Sequence, residues 1–477
     1  MKQLIWISIF WALFPMIPAL WSGDLAGSPY TDLYFSVWSL HIPWMDDGDP
    51  FSTSWINYPD GQSIYSSAYI KSIFAWILSP IFSPANSYNL ILFLSRLLGP
   101  ICCFFAMRAW GYKDLAATGF AVFVGMSPYL HGYSVEGIIE GVDVWPLGLW
   151  LWACARHKIP YMIASLALCI LMSWYLGAVA CLLTVILAFR DKRILFSLFG
   201  IFFAAPAIWT FISAHPTMGA IPFDIREGMS AQWGIPTPNI MTKSNPFAKN
   251  NYIGWCALIA FIEWRYARWA LIPLILSFGI GADLPLLSFV RFPYRWHLAT
   301  MVLIGFAIAQ FLERKNWWWF PFLVLLEFLT LSNIDLFIPK APTQIPTIYQ
   351  YLDRPVLDIP GPLALPAGTA NLSRERSQYL LYAQLFHKQP SLWAQDFNTL
   401  HPPSPSFQNW QSWDPLLKKD HTSLTVPDHE IIKKKGAAVV VHHKRLGKKN
   451  REKLIRELVE IGFSIQKTTK DHTILFP

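Results

Sequence analysis

The sequence predicts a multi-pass α-helical membrane protein of about 11 spans followed by a C-terminal extracytoplasmic α/β domain. Three observations predict it. First, 54% of the 477 residues are hydrophobic and only 14% are charged, against about 25% charge in a soluble chain. Second, apolar segments alternate with short turns, and every second turn is basic. Third, the chain changes character near residue 340, where proline-rich pieces begin to alternate with short strand and helix patterns. The chain therefore divides into a polytopic region, 1–339, with an external loop over 22–87, and a soluble domain, 340–477. The 24 Trp residues suit interfacial belts at headgroup depth. The six cysteines all lie in apolar segments without metal-ligand or disulfide spacing, so they read as packing residues. The dispersed basic residues form no nucleic-acid-binding motif.

Residues 3–21 are long enough to span at about 1.5 Å per residue. Two prolines, several Trp and the lack of a small-residue cleavage site favour an uncleaved first helix over a signal peptide. The loop that follows carries Asp24, Asp32, Asp46, Asp47, Asp49 and Asp60 and no Lys or Arg before Lys71. Within it, 30–41 reads as an amphipathic helix lying on the membrane, and Tyr58-Pro59-Asp60-Gly61 as a turn. Residues 66–83, broken by Lys71 and Pro80, read as a second interfacial helix.

Spans are then expected at 88–108, 114–130 and 144–155, with two short helices over 159–189 meeting near Trp174–Gly177. Further spans are expected at 194–212, 251–264, 269–282, 297–312 and 317–337, with a polar external loop over 213–250. Each turn assigned to the cytoplasm holds at least two Lys or Arg: Arg108 and Lys113, Arg156 and Lys158, Arg190 to Arg193, Arg265 and Arg268, Arg314 and Lys315. That is the positive-inside pattern. It sets the protein in the inner (cytoplasmic) membrane of a cell, with the tail on the outer side. Arg96, in LFLSRLLG, reads as the only strongly charged residue well inside a span.

In the tail, Val356–Ile359 reads as a strand and 373–387 as a helix with Ser373 as its N-cap. Residues 437–443 read as a buried strand, 448–462 as an amphipathic helix closed by Gly462, and 463–468 and 472–476 as two more strands. No catalytic motif is visible there.

Three external patches can carry chemistry. Asp24, about three residues past the first span, is expected at the membrane surface with Asp32 nearby. A carboxylate in a partly desolvated cleft can serve as a general base or hold a divalent cation; the bland alternative is a helix cap or a solvated side chain. Glu136, Glu140 and Asp143 form the second patch. Glu136 and Glu140 are spaced to share a helix face, and without a cation or proton between them they would be a solvated acidic face. Arg291 and Arg295, in VRFPYRWH, form the third. An arginine pair among aromatics suits a phosphate at headgroup depth; its alternative is snorkelling to the interface.

A first span, a long external loop with an early Asp24, interfacial helices inside it and an acidic patch at Glu136, Glu140 and Asp143 resemble the GT-C superfamily of integral membrane glycosyltransferases. Tyr58-Pro59-Asp60-Gly61, Tyr252-Ile253-Gly254 and Arg291-Phe292-Pro293-Tyr294-Arg295 are similar to pieces of bacterial members of that group. The resemblance covers 1–337 and implies a GT-C-like fold, a polyprenyl-phosphate sugar donor and a cell-envelope acceptor. It implies Asp24 as base with Asp32 in support, Glu136, Glu140 and Asp143 at the substrate, and Arg291 and Arg295 on the donor phosphate. The first loop departs from the family pattern in having no acidic diad except Asp47-x-Asp49, far from the span end. The competing reading is a non-catalytic transporter or scaffold for envelope polysaccharide or lipid, in which these residues are interfacial decoration.

Overall fold

The computed structural model describes residues 2–29, 31–45, 52–56, 62–63, 68–214, 251–280, 293–333, 335–359, 374–392, 432–434, 436–443, 446 and 448–477. Two compact units emerge. One comprises Met1–Leu33, Ser67–Ser213 and Met218–Pro342; the other Tyr34–Ser66, Ala214–Thr217 and Thr343–Pro477. The loop expected as part of the polytopic region is thus divided, and its segment from Tyr34 to Ser66 clusters with the tail.

The helical unit opens with α1 (Lys2–Leu13) and α2 (Ile17–Ser22), joined by a 3-10 turn at Pro15. β1 (Leu25–Ala26) follows and pairs antiparallel with β4 (Lys340–Ala341) of the same unit, while in the other unit β2 (Ser52–Thr53) pairs antiparallel with β3 (Gln62–Ser63). After α3 (Leu33–His41), which belongs almost wholly to the other unit, come α4 (Tyr69–Leu78), α5 (Pro84–Ala109), α6 (Asp114–Gly125), α7 (Pro128–Glu136), α8 (Trp145–Ala155), α9 (Ile159–Met172), α10 (Trp174–Ala188) and α11 (Gly200–Ala214). The two short helices expected over 159–189 are α9 and α10, and the break falls at Ser173, whose backbone is extended. Short helices α12 (Ile259–Ile262), α13 (Trp264–Ala267) and α14 (Leu271–Ser277) precede α15 (His297–Lys315) and α16 (Phe320–Leu331). The expected spans at 251–264 and 269–282 are therefore broken helices rather than continuous ones. The turn at Tyr58–Gly61, the loop expected over 213–250 from residue 215 onward and the cap Ser373 lie outside the described residues.

Among the described residues, four helical stretches are long and apolar enough to cross a membrane: Gln3–Ser22, Pro84–Ala109, Lys192–Trp209 and Pro293–Lys315. Five shorter apolar helices accompany them. In the Pro293–Lys315 stretch, 89% of the residues in its most apolar window are buried, and it packs against α6. α5 packs on α6 and α8. Gly148 of α8 lets the last pair meet, since a Cβ there would lie 2.8 Å from the Cys102 backbone; small residues are how apolar helices approach closely. Outward faces carry Trp6, Phe10, Trp21, Phe202, Phe203, Trp209 and Trp318 exposed. An apolar surface of this extent needs a lipid or protein cover.

The tail unit is built on one sheet, β5 (Val356–Ile359), β6 (Ala438–His442), β7 (Ser464–Thr468) and β8 (His472–Phe476), in the order β5-β6-β8-β7. β5 and β6 are parallel; β6–β8 and β7–β8 are antiparallel. The unbroken apolar run of β6 is buried throughout because both sheet faces are covered. Leu357, Val439, Val441 and Leu475 pack with Leu454 and Leu458 of α18 (Lys448–Glu460). Val356, Val440 and Ile474 pack with Ile348 and Tyr349 and with Leu380 and Ala383 of α17 (Arg374–His387). α18 ends before Gly462, as expected.

One expectation in the loop is corrected. The pattern over 30–41 predicts an amphipathic helix lying on the membrane, and the helix found there is α3. Instead Tyr34, Val37, Trp38 and Leu40 are fully buried. Tyr34 meets the Tyr379 and Tyr382 rings at 5.2 and 5.5 Å, and Trp38 Nε1 donates to Gln384 Oε1 at 2.9 Å. Its apolar face was legible, but the surface it covers belongs to a helix some 350 residues away in the chain.

Candidate functional site

The loop after α2 is held by main-chain bonds, not left to solvent. Gly23 ends the helix at φ +71°, and the Asp24 amide donates to Ala19 O at 2.9 Å. Asp24 therefore follows a helix C-terminus, where the helix dipole opposes an anion; it caps no helix N-terminus. Two neighbours offset that. Ser22 Oγ donates to Asp24 Oδ2 at 2.7 Å, and Lys340 Nζ lies 3.6 Å from the same oxygen. The carboxylate remains 22% exposed, enough for a small reactant to reach it. Asn89, near the start of α5, clamps the backbone on both sides: its Nδ2 donates to Asp24 O and its Oδ1 accepts from Ala26 N, each at 2.9 Å.

The loop then runs against the end of α7. Ser28 N donates to Val135 O at 2.7 Å, and Thr31 Oγ1 to Glu136 O at 2.5 Å. Half-buried Asp32 is thus next in sequence to a residue bonded to the Glu136 main chain. Glu136 itself is fully buried. The expectation that Glu136 and Glu140 share a helix face is corrected. Gly137 at φ +69° terminates α7, and Glu140 lies in a separate 3-10 turn, Ile139–Gly141.

The acidic patch is compensated by cations. Asp143 pairs with Lys71 from α4, both side chains shut away from solvent, and Lys71 Nζ also donates to Ile139 O. Glu140 Oε1 accepts from Arg295 Nη1 at 2.8 Å. The Arg295 guanidinium stacks 3.3 Å from the centroid of the Tyr175 ring, with Tyr133 at 5.7 Å. So Glu140, Asp143 and Arg295 come together with Lys71, Tyr133 and Tyr175, which sequence reasoning missed. A signal for Lys71 existed: a lysine interrupting an apolar helix needs a counter-charge if it is buried. Arg291 lies outside the described residues, as do Asp46, Asp47, Asp49 and Asp60.

Arg96 is correctly placed inside α5, yet it is not the only ionisable group within the apolar helices. Its guanidinium donates to Trp11 O at 2.8 Å and Ser134 Oγ at 2.9 Å, and lies 3.1 Å from His131 Nδ1. Glu327, on α16, is buried too. Tyr252 Oη donates to it at 2.7 Å and Cys256 N at 3.1 Å, with Trp255 N a third donor. Gly254 makes this turn possible: at φ +89°, a Cβ there would sit 3.0 Å from Glu327 Oε1. The Tyr252-Ile253-Gly254 piece is thus a carboxylate-holding turn.

The opposite ends of the helices carry the basic turns. Arg108 pairs with Asp114, Lys113 with Glu313, and Arg314 with Glu263. His157 and Arg193 both contact Asp191, at 2.8 and 3.0 Å. Between Asn89, which holds the Asp24 loop, and Arg108 the helix α5 rises about 28 Å at 1.5 Å per residue. That is close to the ~30 Å hydrocarbon thickness of a bilayer.

Among the described residues, no three His, Cys, Asp or Glu converge as a metal-binding group. In the tail, Asp358 Oδ1 accepts from Tyr349 Oη at 2.9 Å and meets His442 Nε2 at 2.8 Å. Burial holds His387 and His472 neutral, each pushed down to about 4. No protein-family model matches the sequence, and no curated protein matches it.

Proposed function

We propose that the chain is a GT-C-type membrane glycosyltransferase. In this reading about 11 spans cross an inner (cytoplasmic) membrane, the tail is extracytoplasmic, and a sugar passes from a polyprenyl-phosphate-linked donor to a cell-envelope acceptor. The observation that carries the proposal is the separation along α5: an immobilised, reachable Asp24 at one end and ion-paired basic turns about 28 Å away at the other.

The chemistry follows from the groups at the acidic end. An acceptor hydroxyl oxygen attacks the anomeric carbon, the bond from that carbon to the lipid phosphate breaks, and the hydroxyl proton passes to Asp24. Asp32 supports the base. Negative charge grows on the departing phosphate, and Arg295 is the described cation suited to meet it. Because Arg295 is paired with Glu140, a phosphate would have to displace that carboxylate, which gives Glu140 a substrate-gated role. Asp143, neutralised by Lys71, serves the frame of the site. Arg291 would join Arg295 by resemblance alone.

A second reading, a non-catalytic transporter or scaffold for polysaccharide or lipid, draws support from one observation. The helical unit buries Lys71–Asp143, Arg295–Glu140, Arg96 and Glu327, and ionisable groups inside helix bundles mark transport pathways. One experiment separates the two. Envelope glycans and lipid-linked sugars are profiled by mass spectrometry in wild-type, deletion and Asp24→Asn strains with matched membrane levels. Loss of the same glycan, with build-up of the same lipid-linked donor, in both altered strains is the expected result. A phenotype confined to the deletion would remove Asp24 from catalysis and favour transport.

A further inference from the structure

α17 stops at His387, and the chain turns back at once to run beside β5. Lys388 makes the turn at φ +54°, a left-handed conformation that is costly for a residue with a Cβ and so leans on the bonds around it. From there residues 389–392 form a strap. Val356 N donates to Pro390 O at 2.8 Å and Leu392 N to Val356 O at 2.9 Å, so Ser391 lies parallel to Val356 as a one-residue extension of the sheet. Ser391 N donates to Trp55 O at 2.7 Å, and Gln389 O accepts from Gln384 Nε2 at 3.2 Å. The strap thus ties the sheet to the 52–56 segment and to α17.

One bond of the strap depends on the absence of a proton. Gln389 N donates to His387 Nδ1 at 3.1 Å. A backbone N–H only donates, so Nδ1 presents its lone pair and carries no hydrogen. The imidazolium, a donor at both nitrogens, would set N–H against N–H at this place. The ring is held there by stacking on Tyr349, of the 3-10 turn Thr347–Tyr351, at 5.1 Å and 16°. Tyr349 is fixed in turn by donating its hydroxyl to Asp358 at 2.9 Å. The groups that face His387 are therefore Tyr349 from the turn and Asp358 from β5. Behind them stand His442 of β6, 2.8 Å from Asp358, and His472 of β8, edge-on to His442 at 4.9 Å. Burial outweighs the opposing charge of Asp358 and lowers the pKa of His387 to about 4, in keeping with an Nδ1 that accepts.

We propose that residues 389–392 are an acid-released strap, closed by the unprotonated Nδ1 of His387 and opened when that nitrogen takes a proton. Opening removes the strap from both main-chain groups of Val356 and takes one of the two donors from Trp55 O. Acid thus unties the sheet from the 52–56 segment at this place. In the open strap His387 has its ordinary pKa near 6.5, and in the closed strap about 4. The open form therefore binds the extra proton: closure is fully favoured above pH 6.5 and loses that advantage as pH falls from 6.5 through 4. Between pH 7 and pH 5 the opening equilibrium is expected to rise about 20-fold. The inference needs neither Asp24 nor a lipid-linked donor, so it stands independently of the transfer reaction.

The test uses the full-length protein in lipid nanodiscs. Amide-resolved hydrogen exchange, corrected for intrinsic rates, follows Gln389, Ser391 and Leu392 at pH 7 and pH 5. In the wild type these amides are expected to lose protection about 20-fold at pH 5 and to exchange faster than those of β6, which marks a local opening. His387→Asn supplies a side-chain oxygen that accepts from the amide two residues on and does not titrate; it is expected to keep the strap closed at both pH values. His387→Phe keeps a ring for Tyr349 but offers no acceptor. It is expected to open the strap about 5-fold at pH 7 and to lose most of the acid response. Exchange over α18 at pH 7, expected as in the wild type, checks that both variants are folded. The proposal is overturned if the wild-type strap keeps its protection at pH 5, or if it loses protection only together with β6. It is overturned equally if His387→Asn responds to acid as the wild type does, or if His387→Phe leaves the strap as protected as wild type at pH 7.

Discussion

In the helical unit Lys71 faces Asp143 and Arg295 faces Glu140, full charge against full charge. In the tail unit the buried carboxylate of Asp358 is met by a tyrosine hydroxyl and a histidine ring. The contrast follows from what surrounds each unit. A helix bundle with apolar outer faces has little water within reach, so a buried ion needs an opposite ion or several donors, such as the Tyr252 hydroxyl and the Trp255 and Cys256 main-chain N–H groups at Glu327. A small sheet domain can hold a buried carboxylate with hydrogen-bonding side chains and can keep histidines such as His387 and His472 neutral chiefly by burial. The first arrangement is costly to break by one residue. The second is costly to break by pH.

The largest effect is expected at the Lys71–Asp143 pair. Lys71→Met leaves Asp143 buried without its cation and is expected to cost about 3–5 kcal/mol. Replacing both, as Lys71→Met with Asp143→Leu, is expected to recover most of that loss, because two apolar side chains bring no desolvation penalty. Thermal unfolding of the nanodisc-embedded protein measures both. A single variant that costs under about 1 kcal/mol would place the pair in the surface class, and the contrast between the units would fall.

The tail is expected to answer to acid. His387 has its pKa lowered to about 4 by burial, with nearby Asp358 opposing the shift weakly; His472 is lowered to about 4 chiefly by burial as well. A histidine lowered in the folded state takes up protons more readily when unfolded. Its contribution is intact above pH 6.5 and is lost as pH falls from 6.5 through 4. For His387 the loss reaches about 3 kcal/mol near pH 4. Hydrogen exchange across β6 and β8, followed from pH 7 to 4.5, is expected to accelerate after correction for intrinsic rates. His387→Gln is expected to flatten that response. Equal acid sensitivity in α5 and α15 would show that the effect is not confined to the tail.

How much of this was legible in the sequence depends on the range of the contact. The tail strands at 356–359, 438–442, 464–468 and 472–476 follow from runs of local pattern, and so does the break between α9 and α10 at Ser173. That Asp24 follows the end of the first apolar stretch was legible because it is a local fact. The pairing of Lys71 with Asp143 was not, since the two residues are far apart in sequence and neither has a pattern that names the other. The shared face of Glu136 and Glu140 was misread because spacing assumes a continuous helix, and Gly137 ends it. The destination of α3 was misread for a further reason: an apolar face says that something covers it, not what.

That helix offers the smallest and most specific test of how the tail unit is joined. Gln384 is the bridge: its Oε1 accepts from Trp38 Nε1 at 2.9 Å, and its Nε2 donates to Trp55 O at 2.5 Å. Ser391 N also donates to Trp55 O, at 2.7 Å, so the second contact has a main-chain substitute. The first has none, and Trp38 is buried. Gln384→Ala should therefore act chiefly through the stranded indole N–H, at about 1–2 kcal/mol. Hydrogen exchange over 34–41 is expected to quicken while that over α18 stays as in the wild type, since α18 packs on the opposite sheet face. Gln384→Glu keeps an acceptor for Trp38 but sets a carboxylate against Trp55 O, and it is expected to loosen 52–56 more than 34–41. If both variants leave exchange over 34–41 and 52–56 unchanged, the aromatic contacts of Tyr34 with Tyr379 and Tyr382 hold the segment by themselves, and the bridge is incidental.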